Sequence, residues 1–501
     1  KRLLKLIGNA ANFIEIKTFH SYCFDLLGKI GTIEKSDAII REAVAKIKSG
    51  EVEINRITKT VLVIDEAQDM DADEFALIKA LMECNEEMRI IAVGDDDQNI
   101  YEFRGASSEY LKKLLVEHKA VMYELIENYR SKSNLVDFTN QFVERIPHRL
   151  KSNPIVAIQR DQGKIKLVRY NSSNLVKPVA DDILSTDLSG TSCVLTKTND
   201  EALKITGLLL KNGMPAKLIQ SNEGFDIYNL LEVRFFLNQF DFTEKLYTIN
   251  DEIWSNTKRK LIGRFRNSPN LDICLNIIKD FEMTNPKTKY RSDLDIFIRE
   301  SKLEDFVDDS AETILVSTIH KAKGREFDNV VLVLDNFNTW SDEAMRQLYV
   351  AMTRAKCNLT IHYNGSYLDP IKAEGLDVVD DFTRYSQPDQ FTVQLTHKDV
   401  WLDYFIQRQG LITRLNSGDK LLVSGDFCIN SKGQRVLAFS RQFTKKIETI
   451  RQKNYVAKSA TIRFIVYWQK EDTEKEIKIV LPELYFEKEC REDGGSGIAV
   501  V

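Results

Sequence analysis

Two stretches decide the fold, VLVIDEAQD (Val61–Asp69) and RIIAVGDDD (Arg89–Asp97). Each is a short apolar run ending in acid, the pattern of a parallel strand buried on both faces. Phe75, Ile78 and Leu81 recur between them at helix spacing, so the order is strand, helix, strand, as in a doubly wound α/β domain. Further along, SCVLTKTN (Ser192–Asn199), TILVSTIH (Thr313–His320), NVVLVLD (Asn329–Asp335) and NLTIHY (Asn358–Tyr363) repeat the theme and predict a second α/β domain. Amphipathic pieces over residues 240–312 predict a small helical insertion within it. Past Pro388 the texture changes to short alternating runs such as KLLVSGDF, RVLAFS, ATIRFIVYW and KEIKIVLP, the pattern of a small β-rich, barrel-like domain. The predicted organisation is residues 1–150 and 151–385 for the two α/β domains, 390–490 for the β-rich domain and 491–501 for a Gly-rich flexible tail.

Composition agrees with this division. At roughly 150 residues per domain, 501 residues make about three domains, and 43% apolar with 29% charged residues excludes a disordered polymer. The net charge of -5 excludes a chain that is basic throughout, so any polyanion site is a local patch. Seven scattered cysteines, never spaced C-x-x-C, argue against a disulfide framework or a zinc knuckle and predict a reducing, cytoplasmic compartment. The opening KRLLKLIGNAA is interrupted by Lys5 and does not read as a secretory signal. No run approaches the ~18 apolar residues of a membrane span, and no membrane partner is expected.

The chemistry lies at the strand ends. Asp65 can hold Mg²⁺ through water and Glu66 can orient and deprotonate an attacking water, although acidic strand ends also serve as helix caps. The second strand runs into GDDDQNIYEFRGA (Gly94–Ala106), which sets a Gln, two aromatics and an Arg in close order.

With four further blocks, these runs resemble the ordered motifs of superfamily 1 DNA helicases of the UvrD, Rep and PcrA type. Thr18–Ser21 is similar to motif Ib, DEAQD to motif II, the Gln98–Arg104 run to motif III and LIENYRS (Leu125–Ser131) to motif IV. STIHKAKGREFDNVVLV (Ser317–Val333) is similar to motif V and QLYVAMTRAK (Gln347–Lys356) to motif VI. The resemblance implies two RecA-like parallel-sheet domains of the P-loop NTPase type, with ATP and Mg²⁺ between them. It implies that Gln98 senses the γ-phosphate, Tyr129 stacks near adenine, Arg130 reaches the phosphates, Glu326 meets the ribose and Arg354 is an arginine finger. Thr18, Phe19, His20, Tyr101, Phe103, Arg104 and His320 would meet single-stranded or junction DNA, with His20 equally readable as a core histidine. Base stacking on such rings ignores sequence, as a motor requires.

One departure matters most. No G-x-x-x-x-G-K-[ST] string occurs in the 501 residues, so the amide cradle and lysine for the β- and γ-phosphates are expected on an N-terminal remainder of the same polypeptide. The first RecA-like domain is then N-terminally truncated and this chain alone inactive. The implied activity is an ATP-dependent helicase or translocase, 3′ to 5′, serving DNA repair, replication or recombination, and nucleoid-associated if bacterial. The alternative is a helicase-like DNA- or protein-binding module without ATPase activity.

Beyond the resemblance, residues 430–470 hold ten basic residues, among them Lys445, Lys446 and Lys453, against the single acid Glu448. Phe439, Phe443, Tyr455, Phe464, Tyr467 and Trp468 are interleaved with them. That composition fits a nucleic-acid groove with stacking rings, a small barrel whose aromatics fill its core, or a protein-binding surface.

Overall fold

A buried apolar run has no solvent to satisfy its backbone, so it forms ladders with neighbouring runs of the same kind. In the computed structural model, which describes residues 14–28, 36–52, 57, 61–219, 225–240, 248–286, 288–306, 313–469 and 476–489, Val61–Ile64 pairs in parallel with Arg89–Ala92. Helix Ala72–Cys84 connects them, its start fixed by a reciprocal capping box between Asp71 and Glu74. Phe75, Ile78 and Leu81 are all buried. Leu77 and Leu81 pack with Ile39, Ile40 and Ile47 of helix Ser36–Lys48 and with Cys23 and Phe24 of helix Phe19–Leu26. The opening KRLLKLIGNAA and the 491–501 tail lie outside the described residues.

The second set of apolar runs builds a seven-stranded parallel sheet. Its order is Leu376–Asp381, Lys164–Tyr170, Ala355–Tyr363, Phe327–Leu334, Ser192–Thr196, Ile314–Thr318 and Ala216–Leu218. The strands at Ser192–Thr196 and Ile314–Thr318 are buried at every position, as unbroken apolar runs require. Residues 127–163 join both sheets. Glu127–Asn128 pairs with Val156–Ala157, Ser131 Oγ donates to the Ala355 carbonyl (2.8 Å), and Arg149 forms a two-pronged bond to Asp97 (2.9 Å each). Gly163 sits where a Cβ would lie 1.9 Å from the Cys357 carbonyl oxygen, a close approach that only glycine permits.

Contacts divide the chain into two units, one of residues 1–218 with 309–386 and one of residues 219–308 with 387–501. In the second, a six-stranded antiparallel sheet runs from edge strand Gln390–Gln394 through the long pair Glu476–Lys488 and Tyr455–Gln469 to Lys420–Ser424, Phe427–Ile429 and edge strand Arg435–Ala438. Helix Leu231–Leu237 precedes the predicted insertion, which supplies helices Asp251–Phe265, Leu271–Thr284 and Arg291–Glu300. These share one hydrophobic core with the sheet, in which Phe236, Trp254 and Phe281 join Phe464, Val466 and Leu481. Glu232, fully buried, accepts from Ser268 Oγ (2.6 Å) and Ser417 Oγ (2.9 Å), so a polar bond also ties the two segments. Among the described residues no helix is long and apolar enough to cross a membrane.

The close approach at Gly163 makes a direct test of the second sheet. Gly163→Ala should destabilise the chain by about 1–3 kcal/mol, the usual cost of forcing an extra methyl into a packed site, seen as a lower urea midpoint; an unchanged midpoint would refute the contact.

Candidate functional site

Where Val61–Ile64 ends, the chain turns sharply. Glu66 adopts a left-handed conformation (φ 52°), uncommon for a residue with a side chain and kept where surrounding contacts over-determine it. Those contacts centre on Gln68, which is 1% exposed. Its Nε2 donates to Glu66 Oε2 (2.5 Å) and its Oε1 accepts from the Asp95 amide (2.9 Å), so one buried amide fixes both acidic strand ends. Asp65 accepts from the Glu66 amide (3.0 Å) and, like Glu66, stays exposed at the strand end.

The three carboxylates Asp95, Asp96 and Asp97 lie within 4.8 Å of one another. Each is already engaged: Lys151 Nζ reaches Asp95 (2.5 Å) and Asp97 (2.9 Å), Arg149 takes Asp97, and the Leu150 amide donates to Asp96 (2.6 Å). This cluster is a structural joint. It places Gln98, whose Nε2 donates to Asp95 Oδ2 (2.8 Å), with its amide oxygen turned toward the second sheet.

That oxygen accepts from Arg354 Nη2 (2.9 Å). Arg354 is 3% exposed and also donates to the carbonyls of Val350 (2.9 Å) and Arg325 (3.3 Å). Among the described residues no carboxylate pairs with it within 4 Å. Burial first, then the Arg130 charge, push its pKa down to about 10, still well protonated at neutral pH. Arg130 itself pairs with Glu326 (2.5 Å), and the exposed Tyr129 ring donates its hydroxyl to Glu127.

A second cation was missed in the sequence. Lys323, its side chain 8% exposed, reaches Asp69 Oδ2 (2.6 Å), the Gln98 carbonyl (3.1 Å) and Glu66 Oε2 (3.6 Å), and lies 5.0 Å from the Tyr101 ring centre. It sits inside the HKAKG run, but a lysine in a basic string reads as a solvated charge until the turn at His320–Ala322 aims it inward. Beside it, Tyr101, Phe103 and His320 form a ring cluster with centroids 5.7–6.1 Å apart, and the Arg104 guanidinium lies 5.4 Å from both the Tyr101 and Phe103 rings. Phe103 is 62% exposed. Burial, then the charge of Arg104, lowers the His320 pKa and so disfavours the charged ring.

The remaining expected residues divide. Thr18 caps helix Phe19–Leu26 by accepting from the Ser21 amide (3.1 Å), Phe19 packs on the first-sheet core, and His20 is half-buried. Lys445, Lys446 and Lys453 are exposed, but Phe439, Phe443, Tyr455 and Phe464 among them are buried in the second unit's core. Those four rings fill the core, as in the barrel reading, and cannot stack on a ligand, while Tyr467 and Trp468 are only partly buried.

The chain is similar to known DNA helicases over much of its length. The profile of the UvrD/REP helicase N-terminal domain matches residues 42–119, and that of the UvrD-like helicase C-terminal domain matches 123–261 and 232–366. DNA helicase II of Haemophilus influenzae is 36% identical over 92 residues, 18% of this chain and 12% of that protein. The Gabija protein GajB of Bacillus cereus is 23% identical over 340 residues, 62% of this chain and 65% of that protein. The ATP-dependent DNA helicase Rep of Buchnera aphidicola is 28% identical over 218 residues, 41% of this chain and 32% of that protein. The match to this chain thus spans less than two thirds of each relative. The fold and the two family profiles define a helicase-class α/β protein. Within that class the chain belongs to the UvrD/Rep type of superfamily 1.

Lys323→Met should show what the missed cation does. Burial already raises the Asp69 carboxyl, and Lys323 opposes that shift; without it the folded state favours protonated Asp69 still more. Stability is then kept at low pH and lost as pH rises through the raised value. Urea unfolding should show a deficit about 1–3 kcal/mol larger near pH 8 than near pH 4, and equal deficits would show that Lys323 does not govern Asp69.

Proposed function

We propose that the protein is the motor portion of an ATP-dependent DNA helicase or translocase that moves 3′ to 5′ on single-stranded DNA. The observation that carries this reading is Arg354. A buried guanidinium with no carboxylate partner is costly unless an anion completes its surroundings, and a phosphoryl group beside Gln98 is the anion its position suits.

In this reading Glu66 accepts the proton of the water whose oxygen attacks the γ-phosphorus as the bond to ADP breaks. Gln98 and Arg354 hold the γ-phosphoryl oxygens, a stabilisation worth about 10³–10⁵ in rate when an arginine supplies it in other NTPases. Arg130 exchanges Glu326 for phosphate, Glu326 turns to the ribose, and Tyr129 offers its exposed ring to adenine. The exposed carboxylate of Asp65, fixed at a strand end, suits water-mediated contact with Mg²⁺, which when bound neutralises charge on the phosphates. Phe103 and Tyr101 stack bases, and their contact with Lys323 and His320 links the DNA side to the nucleotide side.

The same reading calls for a further segment carrying the phosphate loop. Val61, Val63, Ile91 and Val93 are 43–60% exposed on one face of the two-stranded Val61–Ala92 pairing. Parallel strands are normally covered on both faces, so this apolar face supports a covering segment. The alternative, a binding module without ATPase activity, draws support from the missing phosphate-loop string. Either way the expected location is the cytoplasm, with association to the nucleoid if the source is bacterial.

The test is hydrolysis. The 501-residue chain alone should turn over ATP poorly even with DNA. Joined to a segment carrying the phosphate loop it should gain DNA-stimulated turnover, and Glu66→Gln should then lower kcat about 10²- to 10⁴-fold while ATP still binds. A loss below about tenfold would reassign the base, and no turnover in the joined protein would favour the binding module.

A further inference from the structure

The second unit carries a ring ladder, exposed at its Trp401 end and partly buried at Tyr404 and Phe427, that adjoins a basic helix with no ion pair among the described residues. Trp401, Tyr404 and Phe427 follow one another with ring centres 5.8 and 5.9 Å apart. Arg408 stacks over Tyr404 (4.5 Å) and Arg435 over Phe427 (4.2 Å). Trp401 is 54% exposed, whereas Trp254 in the core is 3% exposed. The Trp401 amide donates to the Ala438 carbonyl (2.9 Å) and the Ser440 amide to the Asp399 carbonyl (2.9 Å). Ser440 then caps helix Arg441–Arg451, so the ladder's exposed end adjoins the start of that helix.

The helix is amphipathic. Phe443 and Ile447 face the core, while Arg441, Lys445, Lys446 and Arg451, with Lys453 just beyond, are exposed. Among the described residues none of these five forms an ion pair. Other cations of the same unit do: Lys458 with Glu487, Arg234 with Glu476, Lys258 with Glu282 and Lys289 with Asp251. Five unpaired cations in 13 residues, with only Glu448 among them, attract a polyanion.

We propose that this surface is a second nucleic-acid site, in which Trp401 stacks an unpaired base of single-stranded DNA while the Arg441–Arg451 helix and Lys453 hold its phosphates. Cations alone would serve a duplex equally well. The exposed ring beside them favours a strand whose bases are free to stack, and its sequence-independence suits a protein that moves along DNA. The site is made of other residues than the ring cluster of Tyr101 and Phe103, so its failure is distinguishable from failure of the hydrolysis mechanism.

The test uses the full chain carrying Phe103→Ala, which weakens stacking at the first site, and fluorescence anisotropy with a labelled oligothymidylate over a range of salt. Trp401→Ala should weaken binding about 5- to 100-fold at unchanged salt slope, since stacking releases no counterions. Trp401→Phe should restore most of it, which separates stacking from misfolding. Reversing Lys445, Lys446 and Lys453 to Glu should weaken binding by more than about tenfold and flatten the slope of log K against log salt by about 2, near 0.7 for each of three phosphate contacts. Affinity and slope unchanged in both variants would overturn the site. Equal affinity for a duplex of the same length, indifferent to Trp401→Ala, would overturn its assignment to single strands.

Discussion

The hydrogen bond from Arg354 to Gln98 is the contact on which the candidate site depends. A guanidinium that is 3% exposed has lost its water, and it recovers only part of that solvation from the Gln98 side chain, the Thr353 hydroxyl and two backbone carbonyls. Its depressed pKa expresses the shortfall. The cation persists because its lowered pKa is still well above neutral pH, and it is placed between helix Asp342–Met352 and the strand that begins at Ala355. Gln98, at the end of the first sheet, is where the charge is directed.

Everything around this contact restricts motion. Gln68 clamps Glu66 and Asp95, Lys151 and Arg149 neutralise Asp95 and Asp97, and Arg346 pairs with Glu102 (2.7 Å). Lys323 joins Asp69, Gln98 and the Tyr101 ring at one point. Against this fixed frame Asp65, Glu66, Tyr129 and Phe103 remain exposed. Pre-positioned polar groups with a few exposed side chains are what a site for a charged ligand needs, because little reorganisation is left for the moment of reaction.

The parallel strands were legible because an unbroken apolar run ending in acid has few other fates, and Val61–Ile64, Ser192–Thr196 and Phe327–Leu334 are strands as read. Order along the chain carried the motif blocks. What the sequence could not show depended on contacts between distant segments. Lys323 reads as surface charge until the chain turns it inward. Phe443 and Trp401 differ little as letters, yet one fills the core and the other stands in solvent. Residues 240–312 read as an insertion into the second α/β domain, but the apolar faces of residues 219–308 are satisfied by the later sheet around Phe464 and Leu481. Local periodicity gives the faces of an element and leaves open what covers them.

The most direct measurement of the central claim is a double-mutant cycle on Arg354 and Gln98, with Arg354→Ala, Gln98→Ala and the pair compared by urea unfolding. If the two residues meet as described, the effects are non-additive, with a coupling of about 1–2 kcal/mol for a hydrogen bond to a charged group. Additive effects, within about 0.3–0.5 kcal/mol, would mean that the arginine of the second sheet does not engage the glutamine of the first, and the single site described here would not exist.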